Sequence, residues 1–143
     1  MRALLFTRFA AAAALCGALL AGPASATTLY DDLGGGPGLT AIIGGALDEA
    51  VVDPRIADKF DNINMARLKQ RIVEQVCELA GGPCHFKGIS MKGSHAYLQL
   101  EDRHFNALVE DMQDTMDKVG IPFATQNRLL ALLAPMRRDI VSK

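Results

Sequence analysis

The chain has 143 residues, is 50% hydrophobic, and carries 15 basic and 16 acidic side chains for a formal charge of −1. That length is one domain, and a balanced, slightly acidic surface disfavours nucleic acid as a partner.

Residues 1–8 form a short basic start, and residues 9–22 are an unbroken run of small and apolar side chains. Pro23-Ala-Ser-Ala26 then ends in the small-x-small pattern read by signal peptidase. A membrane-spanning helix needs about 20 apolar residues, so this run is too short to stay in a bilayer. Residues 1–26 are therefore predicted to be a cleavable export signal. Residues 27–143 would be the mature domain, expected in a bacterial periplasm without stable membrane insertion. Lipid attachment at Cys16 is the weaker alternative, because Leu15 is not the small residue expected before a lipidated cysteine. Without Arg2 and Arg8 the domain keeps 13 basic against 16 acidic residues.

After Thr27-Thr-Leu-Tyr30, the stretch Asp31-Asp-Leu-Gly-Gly-Gly-Pro37 is dense in helix breakers and predicts a loop. Leu39, Ile42, Ile43, Leu47, Ala50 and Val51 then recur at helical spacing, predicting a helix over 39–52. Gly44 and Gly45 weaken it, which implies that something packs close there. Asp53-Pro54 stops it, and a short helical segment over 55–59 presents Phe60. Asn62-Ile-Asn64 offers a cap for the next helix. Met65, Leu68, Ile72, Val76 and Leu79 repeat up to its stop at Gly81-Gly82-Pro83.

Cys77 and Cys84 flank that stop. In an oxidising compartment they are expected to pair, with two free thiols as the alternative. Closing so small a loop is worth about 2–2.5 kcal/mol on the chain-entropy account. Residues 86–100 form a glycine-broken segment containing His95. Glu101 and Asp102 suit the start of a further helix, whose predicted buried stripe is Phe105, Leu108, Val109, Met112, Met116 and Val119. Gly120-Ile-Pro122 breaks it, and a last helix is predicted over 124–141. No segment alternates with period two. The fold class is all-α.

Chemistry-bearing residues are few. His85, His95 and His104 are the three histidines, and no pair has the spacing of a helical zinc site. No nucleophile elbow or phosphate-cradling loop is present, so no catalytic residue is assigned. His104 suits a surface or helix-start position. Periodicity leaves His95 equally open to a metal ligand or a satisfied core histidine.

The segments Leu29-Tyr-Asp-Asp-Leu-Gly-Gly-Gly36, Asp53-Pro-Arg55, Phe60, Met65-Ala-Arg-Leu-Lys69, Gly81-Gly-Pro83, Met91-Lys-Gly-Ser-His95 and Ala134-Pro-Met136 occur in that order. Together they resemble the group I truncated haemoglobins, over about residues 28–141. The resemblance implies a two-over-two helical sandwich around one b-type haem, with His95 as the proximal iron ligand. It implies that Phe60, Phe86, Met91, Leu100, Phe105, Leu129 and Leu133 line the haem or its cavity. Leu68, Ile72 and Gln75 match distal positions on one helical stripe, and Lys69 and Arg71 could reach the propionates.

The departures from that pattern matter as much. Leu47 stands where many members have a ligand-binding tyrosine, and Ile72 where a glutamine often assists. Gln75 is then the local donor in a distal pocket of Leu47, Leu68 and Ile72. Weak retention of O2, easy autoxidation and ready binding of CO or NO follow from that. Binding of a diatomic gas at a five-coordinate iron is the leading expectation, beside nitric-oxide dioxygenase-like or peroxidase-like side activity. A reductase partner is not identified by any residue. Electron transfer and a haem-free interaction module are the alternatives. Covalent attachment through Cys84-His85 lacks its first cysteine, since Gly81 stands there.

Overall fold

The computed structural model describes residues 27–142, so the predicted export signal lies outside the described residues. These residues form α1 (Leu29–Asp32), α2 (Gly35–Ala50), a 3-10 turn (Ala57–Phe60), α3 (Met65–Leu79) and α4 (Met91–His95). They continue with α5 (Asp102–Lys118), α6 (Phe123–Leu133), a second 3-10 turn (Ala134–Met136) and α7 (Arg137–Ile140). No strand occurs among the described residues. None of their helices is long and apolar enough to cross a membrane.

Helix α2 is the centre of the packing, set against α3 on one side and α5 on the other. Its Leu39, Ile42, Ile43, Ala46 and Leu47 are buried with Val76 and Cys77 of α3, Met112 and Met116 of α5, and Leu129 of α6. Each fully buried Leu or Ile contributes roughly 1.5–3 kcal/mol, and truncating Ile42 to Ala would cost about 2–5 kcal/mol. The close approach expected at the paired glycines occurs at Gly45. A β-carbon there would lie 2.6 Å from Thr115 Cγ2 on α5, whereas one on Gly44 would meet nothing within 4 Å.

The ends of the helices are where sequence and structure differ most. Helix α2 starts at Gly35, inside the stretch expected to be a loop. Pro37 falls in its first turn, where a missing N–H costs nothing. Gly38 presses on the preceding turn so closely that a β-carbon would sit 1.9 Å from the Leu33 carbonyl oxygen. The last helix is not continuous. Pro135 cannot donate to a helical ladder, and the chain passes through the second 3-10 turn before α7. Val119 keeps apolar periodicity but is 46% exposed, because it caps the end of α5.

Other ends follow the sequence. Asn64 Oδ1 accepts from the Arg67 N–H at 3.0 Å, opening α3. Gly81 (φ +82°) and Gly82 donate to the carbonyls of Glu78 and Cys77, the paired bonds that close a helix on a left-handed glycine. The Tyr30 N–H donates to the Ala80 carbonyl at 2.9 Å, tying α1 to the same corner. There the sulfurs of Cys77 and Cys84 are 2.00 Å apart, at bonding distance.

Candidate functional site

A cavity of about 720 Å³ opens among α2, α3, α4 and α5. It is lined by His95, Phe60, Leu68, Ile72, Phe86, Met91, Leu100 and Phe105, and also by Leu47 and Gln75. These ten of the residues expected at the cofactor or distal pocket therefore line one space. Three come from a single face of α3: Leu68, Ile72 and Gln75 recur at four- and three-residue spacing, the repeat that stacks side chains on one face.

Helix α4 has only five residues, and its geometry is set by its cap. Ser90 Oγ accepts from the Gly93 N–H at 3.1 Å. The turn brings His95 Nδ1 within 2.7 Å of the Met91 carbonyl oxygen and 2.9 Å of Ser94 Oγ. A carbonyl oxygen only accepts, so Nδ1 carries the hydrogen and the lone pair is left on Nε2. That is how a backbone carbonyl prepares an imidazole to bind a metal. No group of three or more His, Cys, Asp or Glu among the described residues could hold a bare metal ion. A single imidazole suits an iron held mainly by a macrocycle instead.

Charge around the cavity is one-sided. Lys59, Arg67, Arg71 and Lys87 line it, and no carboxylate does. Lys59 pairs with Asp58 at 3.1 Å and Arg71 with Glu74 at 2.9 Å, while Arg67 and Lys87 make no ion pair with another described residue.

Some positions differ from the sequence reading. Lys69, placed near the propionates, instead pairs with Asp48 on α2 at 2.5 Å. Leu129 belongs to the closed core rather than to the cavity lining, whereas Leu133 lines it. His104 does start a helix, but it is buried at 4% exposure and also lines the cavity. Its Nδ1 accepts from the Glu101 N–H at 2.9 Å, a side chain closing the first turn of α5. His85 is exposed and away from the cavity, its Nδ1 3.8 Å from Glu78. Ile43, Val109 and Met112, which the periodicity places in the core, also line the cavity, as does Ala46, which no sequence signal singles out. The cations Lys59, Arg67 and Lys87 carried no spacing signal.

The sequence profile of the bacterial-like globins matches residues 28–142. The chain belongs to that family. Among curated relatives, a group 1 truncated hemoglobin of Tetrahymena pyriformis is 28% identical over 116 residues, covering 81% of this chain and 96% of that protein. One from Mycolicibacterium paratuberculosis is 27% identical over 119 residues, covering 83% of this chain and 88% of the relative. The Fe(III) crystal structure of the Tetrahymena pyriformis protein superposes with a TM-score of 0.78 at 27% identity, covering 82% of this chain and all of that one. A 2/2 hemoglobin of Synechococcus reaches a TM-score of 0.77 at 24% identity over 82% of this chain and 100% of its own, a likeness of fold. The architecture of this globin is thus the two-over-two helical sandwich.

Globin membership implies haem, and the cavity suits it. Its volume lies within the roughly 300–1,000 Å³ of ligand pockets, its walls are mostly apolar, and of its two imidazoles His95 has its Nδ1–H held by a carbonyl and so presents a free Nε2 lone pair. Its cations match the anionic edge of such a group.

Proposed function

We infer that this globin holds one b-type haem through His95 and takes a diatomic gas, O2, CO or NO, beside Leu47, Leu68 and Ile72. The observation that carries the reading is the Met91 carbonyl on His95 Nδ1, which leaves Nε2 as the free lone pair of a cavity-lining imidazole. Haem iron with one protein ligand supplies an open coordination position for the gas.

The chain's own residues define the rest. Phe60, Phe86 and Phe105 offer rings to a flat apolar group. Arg67, Arg71, Lys59 and Lys87 offer charge to its propionates. Leu47, Leu68 and Ile72 keep the gas site apolar, and the Gln75 amide, which makes no hydrogen bond to another described residue, is its donor. Such a pocket holds O2 weakly, exposes the iron to autoxidation and accepts CO and NO without penalty. His104 lines the cavity too, but its Nδ1 accepts from the Glu101 N–H, so in the neutral ring Nε2 carries the hydrogen and has no lone pair for iron, the reverse of His95. This favours five-coordination over a second protein ligand. Export to an oxidising compartment belongs to the same proposal. It is supported by the sequence of residues 1–26.

The deciding measurement is the visible spectrum of the purified protein, ferric and then dithionite-reduced, with and without CO. A five-coordinate ferrous form that converts cleanly with CO is expected. A six-coordinate ferrous form before CO would instead mark an internal ligand and electron transfer, and failure to take up haem would leave an interaction module. An N-terminus at Thr27 in the secreted protein would check the export signal.

A further inference from the structure

We propose that the Cys77–Cys84 bond is a redox latch on the strap 83–89, and that a dithiol reductant opens the cavity by releasing that strap.

The strap runs between two finished helix ends. Before it, α3 closes on Gly81 and Gly82, and after it Ser90 caps α4. Residues 83–89 make no hydrogen bond to another described residue, and the nearest polar approach is the exposed His85 at 3.8 Å from Glu78. Yet Phe86, Lys87, Gly88 and Ile89 all line the cavity. Packing alone holds them poorly. Ile89 is 70% exposed, and the Phe86 ring folds over its own neighbour Gly88, where a β-carbon would lie 2.1 Å from Cζ.

The firm anchor is the sulfur. Cys77 is 1% exposed and belongs to the main core, one residue from cavity-lining Val76. Cys84 sits two residues before Phe86 and is half-buried, so it is the sulfur a reductant reaches. A thiolate of a dithiol attacks Cys84 Sγ, the S–S bond breaks, and Cys77 leaves as a thiolate that takes a proton. The second thiol of the reductant then displaces Cys84, which is protonated in turn. The chain gains two electrons and two protons, and the reductant leaves as a disulfide. The strap then has no covalent or hydrogen-bonded hold between Gly82 and Ser90. Its effect on cofactor retention rests on the haem reading above, whereas its release does not.

The test uses the purified protein before and after native reduction with dithiothreitol. Trypsin cleavage after Lys87 is followed by mass spectrometry, and haem loss by transfer to an excess of an apo-globin scavenger. Cleavage at Lys87 is expected to rise at least tenfold on reduction while cleavage at Lys118 and Arg128 stays constant, and haem loss to rise several-fold. Cys84→Ser without reductant is expected to match the reduced protein in both. Equal cleavage in both redox forms, or a rise at every basic site together, would overturn the latch. Faster cleavage with unchanged haem loss would overturn the strap's part in retention. Faster cleavage in a protein that never takes up haem would uphold strap release and sink the haem reading instead.

Discussion

His95 Nδ1 lies 2.7 Å from the carbonyl oxygen of Met91, one turn back in the same five-residue helix. The bond fixes the tautomer before any metal arrives. His95→Ala is therefore expected to abolish stoichiometric haem uptake. His104→Ala should keep full uptake and lose about 1 kcal/mol of stability, the usual cost of a helix-start side chain. Haem titration beside urea unfolding separates the two. Equal loss of uptake in both variants would mean that His95 is not the ligand.

Gln75 is the uncommitted amide on the α3 stripe. Gln75→Leu removes one hydrogen bond of about 1 kcal/mol, so O2 dissociation should quicken about five- to tenfold with little change for CO. Flash photolysis of both ligands reads this directly. An unchanged O2 rate would show that the amide points elsewhere.

The neighbouring glycines of α2 should respond with opposite signs. Gly44→Ala meets open space and replaces the poorest ordinary helix former, so it should stabilise by roughly 0.5–1 kcal/mol. Gly45→Ala drives a methyl to within 2.6 Å of Thr115 Cγ2 and should cost about 1–3 kcal/mol. Urea midpoints of the two variants check the pair, and stabilisation by both would mean that α5 yields easily.

Asp111 on α5 is 7% exposed, and its Oδ2 has no hydrogen-bond partner among the described residues. Burial raises its carboxyl above the ordinary 3.8, with Asp53, Glu49 and Asp114 adding to the rise and Arg55 opposing it. The unfolded chain then gives up this proton first, and stability falls as pH climbs from 3.8 through the higher folded value. Asp111→Asn should be more stable than the parent at about pH 7, the gain fading by about pH 3. Denaturant midpoints across that range test it. A gain that persists at the acid end would point to packing rather than ionisation.

The long helices and the likeness to truncated haemoglobins were legible because their signals are local. Asn64, Gly81 and Glu101 sit where caps belong, and Leu68, Ile72 and Gln75 share a stripe. What the sequence hid depends on distant partners. Lys69 turns to Asp48 because α2 lies beside α3, and His104 is buried because α5 packs its first turn inward. Leu129 closes the core instead of lining the cavity for the same reason. The break at Pro135 was local and legible, but the apolar repeat through Met136 and Ile140 masked it. The helical start of α2 was obscured by glycines that usually mark loops and here permit contact with Leu33.

Helix α4 is too short to be stable alone, and it packs against α7, the last helix of the fold. The Ser142 N–H donates to the Leu100 carbonyl at 2.7 Å, and Ile140 lines the cavity beside His95. The imidazole is thus expected to gain its final position only once the carboxy-terminal segment has docked. Haem capture is expected to be a late step, one that a chain still emerging from the ribosome has not reached. A chain ending before Arg137 should fold α2, α3 and α5 yet bind haem at least tenfold more weakly, which circular dichroism and haem titration would show.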